Sequence, residues 1–281
     1  LDDQEEQMNV AIIGCGYVGT AIARYWHQEQ GLFVTATTTT PERVSELEAI
    51  AQRVIVIKGN DAEKLPSVVE NQEVILLSVG AANTNVYKET YLDTAKTLAE
   101  VLQQAPTVRQ LIYTGSYGVY GDRGGETVDE DSPIAPASPT GEILAQTEQV
   151  LLGCASDRLK VCILRLGGIY GPRRELAKIF SRVAGTTIAG DGSDATNWIH
   201  LDDIVSAIDF ARTQQLQGIY NLVNEVSLTR RELLDQVCDR HNLPQVSWNP
   251  AEQQLRPYNA RVSPQKIKAA GYKFIHPQIT E

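Results

Sequence analysis

The chain has 281 residues, of which 42% are hydrophobic and 21% charged, so it should build a sizeable core and is no disordered tail. Lys and Arg number 25 against 35 Asp and Glu, a net charge of −10, which argues against a general nucleic-acid binder or an anionic-membrane binder. No apolar run approaches the ~18 residues that span a bilayer, and no basic-then-apolar leader opens the chain.

Met8, the only methionine, directly precedes the first strand-like run; residues 1–7 are expected to be a tag remnant or the end of a removed leader. Residues 9–13 form an apolar run that ends at Gly14 and predicts a strand. Apolar residues then fall at Val18, Ala21, Ile22, Tyr25 and Trp26, the spacing of a helix, with Gly31 as its stop. A second strand is expected over 32–37. Thr40-Pro41-Glu42 opens the next helix, since proline suits a first turn. Residues 54–57 and 74–77 read as strands, 84–104 as one long helix, and 109–114 as a strand. Residues 132–139 read as an extended loop, because residues before proline avoid the helix. A helix over 140–152 and a strand over 161–166 follow.

Strand and helix patterns that alternate predict βαβ crossovers, and strands that are apolar throughout predict a sheet covered on both faces. The expected fold is α/β, a Rossmann-type doubly wound parallel sheet of about seven strands. After Gly171-Pro172 the rhythm breaks, and the remainder reads as a small C-terminal domain. Cys15, Cys154, Cys162 and Cys238 form no CxxC pair and have no close histidine, so no metal site is expected. Reduced thiols point to the cytoplasm.

Gly14-Cys15-Gly16-Tyr17-Val18-Gly19 follows the first strand and opens the first helix. In that context the first glycine makes the tight turn, the second lets the backbone approach a pyrophosphate, and the third permits close helix–strand packing. The helix N-terminus offers free N–H groups to phosphates. The second strand of such folds usually ends in an acid that binds the ribose 2′-hydroxyl of NAD. Here that place holds Thr37, followed by Thr38 and, on the next helix, Arg43. A carboxylate would repel a 2′-phosphate, whereas hydroxyls would not and Arg43 could pair with it, so the cofactor expected is NADP, with NAD as the alternative.

With these motifs in order, the sequence resembles the extended short-chain dehydrogenase/reductases, the NAD-dependent epimerase/dehydratase group, over most of 8–275. Asn60-Asp61 matches the segment in which that family's Asp, here Asp61, contacts adenine. Ser78, Val79 and Gly80 stand where members line the cofactor. The run 113–121 matches the segment of the catalytic Ser, here Ser116; 165–172, 198–204 and 220–222 complete the pattern. The resemblance implies strand order 3-2-1-4-5-6-7, a cofactor-binding domain of 8–171 and 199–223, and a substrate-type domain of 172–198 and 224–281. It also implies hydride chemistry on a small or sugar-nucleotide-like substrate.

The family's catalytic Tyr and Lys lie four residues apart on one helix. Aligned on Pro139, Gly141 and Glu148, the Tyr position holds Thr140 and the Lys position Leu144. An aliphatic hydroxyl titrates far above a phenol, and Leu144 supplies no cation to lower it. Two readings follow: an NADP-dependent oxidoreductase or epimerase with non-standard acid–base groups, or a catalytically inactive dinucleotide-binding sensor or assembly factor. Ser116 and Thr140 are the remaining catalytic candidates, expected within a hydrogen bond or one bridging water of each other. Tyr117, Tyr120, Tyr170 and Glu142 are possible substitutes. Arg173, Arg174 and Arg182 follow the sixth strand, where members build the substrate pocket. His200 precedes a helix expected to be capped by Asp202 or Asp203.

Overall fold

Apolar runs bounded by glycine and proline turns become the strands of one main sheet, in a computed structural model that describes residues 7–252 and 258–279. Residues 1–6 of the segment set aside above lie outside the described residues. The first half runs β1 (Asn9–Ile13), α1 (Tyr17–Arg24), β2 (Phe33–Thr38), α2 (Val44–Glu48), β3 (Arg53–Val56), α3 (Leu65–Val69), β4 (Val74–Leu77), α4 (Thr94–Gln103) and β5 (Gln110–Ser116). Then come β6 (Asp122–Val128), α5 (Pro139–Leu152), β7 (Lys160–Leu166), β8 (Gly168–Tyr170), α6 (Leu176–Phe180), β9 (Thr187–Ala189) and β10 (Trp198–His200). The chain continues through α7 (Leu201–Thr213), β11 (Gly218–Leu222), α8 (Arg230–His241), β12 (Ser247–Asn249), β13 (Asn259–Val262) and α9 (Gln265–Ala269). Among the described residues no helix is long and apolar enough to cross a membrane.

The main sheet has seven strands in the order β11-β7-β5-β4-β1-β2-β3, the expected 3-2-1-4-5-6-7 with β7 and β11 as its sixth and seventh members. Val10 of β1 pairs in parallel with Val34 on one side and Val74 on the other, so the order reverses direction between β1 and β4. Such a switch point leaves a crevice at the carboxyl ends of the strands. Val10, Ala11, Ile12 and Ile13 are all fully buried, as a strand covered on both faces must be.

Two helices depart from the sequence expectation. The first passes at Tyr25–Glu29 into a π turn that carries the fully buried Trp26, whose Nε1 donates to Asp209 at 2.9 Å. The single helix expected over 84–104 is instead a 3-10 turn (Thr84–Val86) capped by Asn83, a π turn (Glu89–Asp93) and then α4. Thr94 Oγ1 donates to the Glu89 carbonyl across that π turn.

The chain divides into two units, one of Leu1–Gly115, Ile143–Leu164 and Val205–Ile219, the other of Ser116–Glu142, Arg165–Ile204 and Tyr220–Glu281. Segment 116–142 lies in the second unit, where β6 pairs in parallel with β13. In the second unit α8 opens on a capping box: Thr229 Oγ1 accepts from Glu232 N while the Glu232 carboxylate accepts from Thr229 N.

Candidate functional site

The glycine turn is built by three contacts that each forbid a side chain or leave room for something else. Gly14 has φ +99° and donates its N–H to Thr37 Oγ1 at 2.9 Å; a Cβ there would lie 2.6 Å from the Ser78 carbonyl oxygen. A Cβ on Gly19 would lie 2.2 Å from the Gly14 carbonyl oxygen, so α1 sits against the turn because this residue is bare. A Cβ on Gly16 would meet no atom within 4 Å. Its missing side chain therefore leaves open space at the N-terminus of α1, where no side chain caps the free N–H groups.

That space belongs to a cavity of about 400 Å³ within the first unit. Of the expected cofactor residues, Gly14, Gly16, Thr37, Thr38, Arg43, Ser78, Val79 and Gly80 line it; Tyr17, Val18, Gly19 and Asp61 do not. Val18 is buried at 7% exposure and Gly19 packs the turn. The Asp61 carboxylate accepts from the N–H groups of Glu63 (3.2 Å) and Lys64 (3.1 Å), a local cap, while its neighbour Asn60 faces the cavity. The open turn at Gly16 beside a cavity of this size fits a dinucleotide.

Thr37 is almost wholly buried and spends its hydroxyl on Gly14. Thr38 Oγ1 accepts from Thr40 N. The polar edge of β2 thus carries hydroxyls already engaged with backbone and no carboxylate. Arg43 reaches over it from the 3-10 turn Pro41–Arg43 and donates to the Cys15 carbonyl and, at 3.0 Å, to Thr20 Oγ1. Its outer side meets Glu46 at 3.2 Å. Cys15 itself is buried, and that burial pushes its thiol up to about 12.

The sequence reading missed a group at the far wall. Lys58, Glu89, Thr90 and Thr94 line the cavity, and Lys58 Nζ pairs with Glu89 Oε1 at 2.9 Å. The ammonium holds the Glu89 carboxyl below its usual range. Their signal was positional: Lys58 lies just past β3 and Glu89 in the π turn before α4, at the carboxyl side of the sheet where ligands bind.

The catalytic candidates are held by their own turns. Ser116 ends β5 and its Oγ accepts from Gly118 N at 3.1 Å. Thr140 Oγ1 shares a 3.1 Å hydrogen bond with Ser138 Oγ, which also accepts from Gly141 N as the cap of α5. The two hydroxyls were expected within a hydrogen bond or one bridging water of each other; the hydrogen bonds they make here are to their own turns, Ser116 with Gly118 and Thr140 with Ser138. Leu144, one turn further on, is 7% exposed. Tyr120 and Tyr170 are fully buried, and Tyr120 Oη donates to Asn221 Oδ1 at 2.8 Å. Burial raises the Tyr120 phenol. Tyr117 packs edge-on to Tyr258, and Glu142, Arg173, Arg174 and Arg182 are exposed.

In the second unit the cap of α7 differs from expectation. His200 Nδ1, not an aspartate, accepts the Asp202 N–H at 3.1 Å. Asp203 is fully buried and faces the C-terminal segment: its carboxylate accepts from Tyr272 Oη (2.9 Å), Ile275 N (2.7 Å) and His276 N (2.9 Å). None of the four cysteines is in a disulfide.

A family model described as the NAD dependent epimerase/dehydratase family matches residues 10–222. The chain is 30% identical over 219 residues to Protein YeeZ of Escherichia coli K12, covering 76% of each. It superposes on a DesIV double mutant, a dTDP-glucose 4,6-dehydratase of Streptomyces venezuelae with NAD and DAU bound, with TM-score 0.78, 21% identity and coverage of 98% of this chain and 93% of that one. The Thermus thermophilus UDP-glucose 4-epimerase in complex with NAD gives TM-score 0.76 and 21% identity, covering 98% and 95%. At these identities the two structures establish the Rossmann-like fold.

Proposed function

The chain belongs to the NAD dependent epimerase/dehydratase family, and from that premise we propose that it binds a nicotinamide dinucleotide in the cavity above the glycine turn, with NADP(H) preferred. The observation that carries the reading is Arg43 set against the turn beside a β2 edge of hydroxyls, all lining one cavity. A guanidinium there matches a 2′-phosphate in charge and geometry, and no strand-end carboxylate opposes it. Gly16 leaves the room that a pyrophosphate needs. Ser78, Val79 and Gly80 line the cavity wall after β4.

When bound, the cofactor supplies a hydride donor or acceptor. The substrate class is a small or sugar-nucleotide-like alcohol or carbonyl compound, a reading supported by the dTDP-glucose and UDP-glucose enzymes to which the chain is similar. Thr140 and Leu144 occupy the family's Tyr and Lys positions, so turnover must use other acid–base groups; the lost pair is of a kind worth about 10²–10⁴-fold. A second reading, a dinucleotide-binding sensor or assembly factor without turnover, is favoured by one observation: Thr140 is committed to Ser138 in the cap of α5. Cofactor oxidation or reduction monitored across a panel of sugar nucleotides and small carbonyl compounds separates the two. Turnover with any member supports the enzyme; binding without turnover across the panel supports the sensor.

A further inference from the structure

We propose that His200, Asp202 and His276 form a binding site for a divalent transition-metal ion of the zinc type, at the point where the C-terminal segment meets the start of α7. Sequence spacing hides the site, because the two histidines lie in separate segments. The fold brings one ligand atom from each of the three residues within 4.8 Å of the others.

Two edges of the triangle are short. His276 Nε2 lies 3.0 Å from Asp202 Oδ2, and His200 Nδ1 lies 3.3 Å from the same oxygen. Bonds of about 2.0–2.1 Å at tetrahedral angles place neighbouring donor atoms roughly 3.3 Å apart, so these edges suit zinc. Two imidazoles and one carboxylate also suit zinc, nickel or copper better than the all-oxygen shells of calcium and magnesium.

The surroundings hold the donors in place. His200 is nearly buried, edge-on to Tyr170 with ring centroids 5.0 Å apart. The His276 peptide is fixed at both ends: its N–H donates to Asp203 Oδ2, and its carbonyl accepts from Asn224 Nδ2 at 2.6 Å. The Asp202 side chain is 54% exposed, which leaves a solvent face for entry and for water in the remaining positions. The two imidazoles lie tilted at 44° with centroids 3.9 Å apart, and His200 Nδ1 accepts the Asp202 N–H. Binding must therefore splay the rings and free Nδ1 from that N–H. A bound ion would fasten Tyr272–Pro277 to the first turn of α7.

The test is calorimetric titration of zinc chloride into the full chain in chelator-free buffer, paired with thermal unfolding. One equivalent should bind saturably and raise the midpoint of unfolding. Asp202→Asn and His276→Gln should each weaken zinc binding at least tenfold and abolish the stabilisation. Circular dichroism matching the wild type would show that the variants fold; both residues have partly exposed side chains, and the Asp203 tether stays intact. No saturable binding, or binding undiminished in both folded variants, overturns the proposal. Neither outcome bears on the dinucleotide reading, which is measured separately.

Discussion

Gly16 and Gly19, three positions apart, lack side chains for opposite reasons, and substitution should separate them. At Gly16 a Cβ meets nothing, so Gly16→Val should fold normally and lose measurable dinucleotide binding; near-wild-type affinity by calorimetry would remove Gly16 from the site. At Gly19 a Cβ would strike the Gly14 carbonyl at 2.2 Å, so Gly19→Ala should cost about 2 kcal/mol of stability in urea unfolding. Arg43→Ala should weaken NADPH about ten- to a hundredfold, the worth of a charge-assisted hydrogen bond, and NADH much less. An equal loss for both would show that Arg43 only braces the Cys15 carbonyl. Cys15, with its thiol pushed up to about 12 by burial, should stay protonated and unalkylated by iodoacetamide at pH 8 until the chain unfolds, as read by mass spectrometry.

Elements are held where buried polar groups find partners, and the start of α7 is the sharpest case. The Asp203 carboxylate accepts three hydrogen bonds from the C-terminal segment, so Asp203→Ala would strand two peptide N–H groups, while the Tyr272 phenol would keep only the residue-203 carbonyl at 3.0 Å. It should cost about 3 kcal/mol or more in denaturant unfolding; a loss below 1 kcal/mol would contradict that role. From sequence Asp202 and Asp203 are equal candidates for the cap, because an aspartate at the start of a helix looks the same whether it bonds its own helix or, as Asp203 does, a segment some 70 positions on. The main-sheet strands were legible since each is apolar throughout and ends at a turn residue. The broken helix over 84–104 was not, because its π turn keeps helical periodicity while shifting one residue. In the site, β1, β2 and β4 could be placed from their runs, and with them Gly14, Gly16, Thr37 and Ser78. Lys58 and Glu89 carry no motif; only their place at the sheet's carboxyl edge marks them.

Across the whole molecule the chain keeps the family's sheet order and glycine turn, and we assign Thr140 and Leu144 to the positions of its acid–base pair. A protein with a net charge of −10 gains nothing overall from an extra phosphate on its ligand, so any preference for NADPH must come from a local cation. Among the described residues two cations line the cavity, Arg43 and Lys58, and we assign this role to Arg43, which is bonded to the Cys15 carbonyl at the glycine turn. The decisive measurement is titration calorimetry of the full chain with NADPH and with NADH under identical salt and pH. The account predicts that both bind and that NADPH binds at least tenfold more tightly. NADH binding as tightly as NADPH, or more so, would contradict the assignment of Arg43, and no heat with either would contradict the dinucleotide site itself.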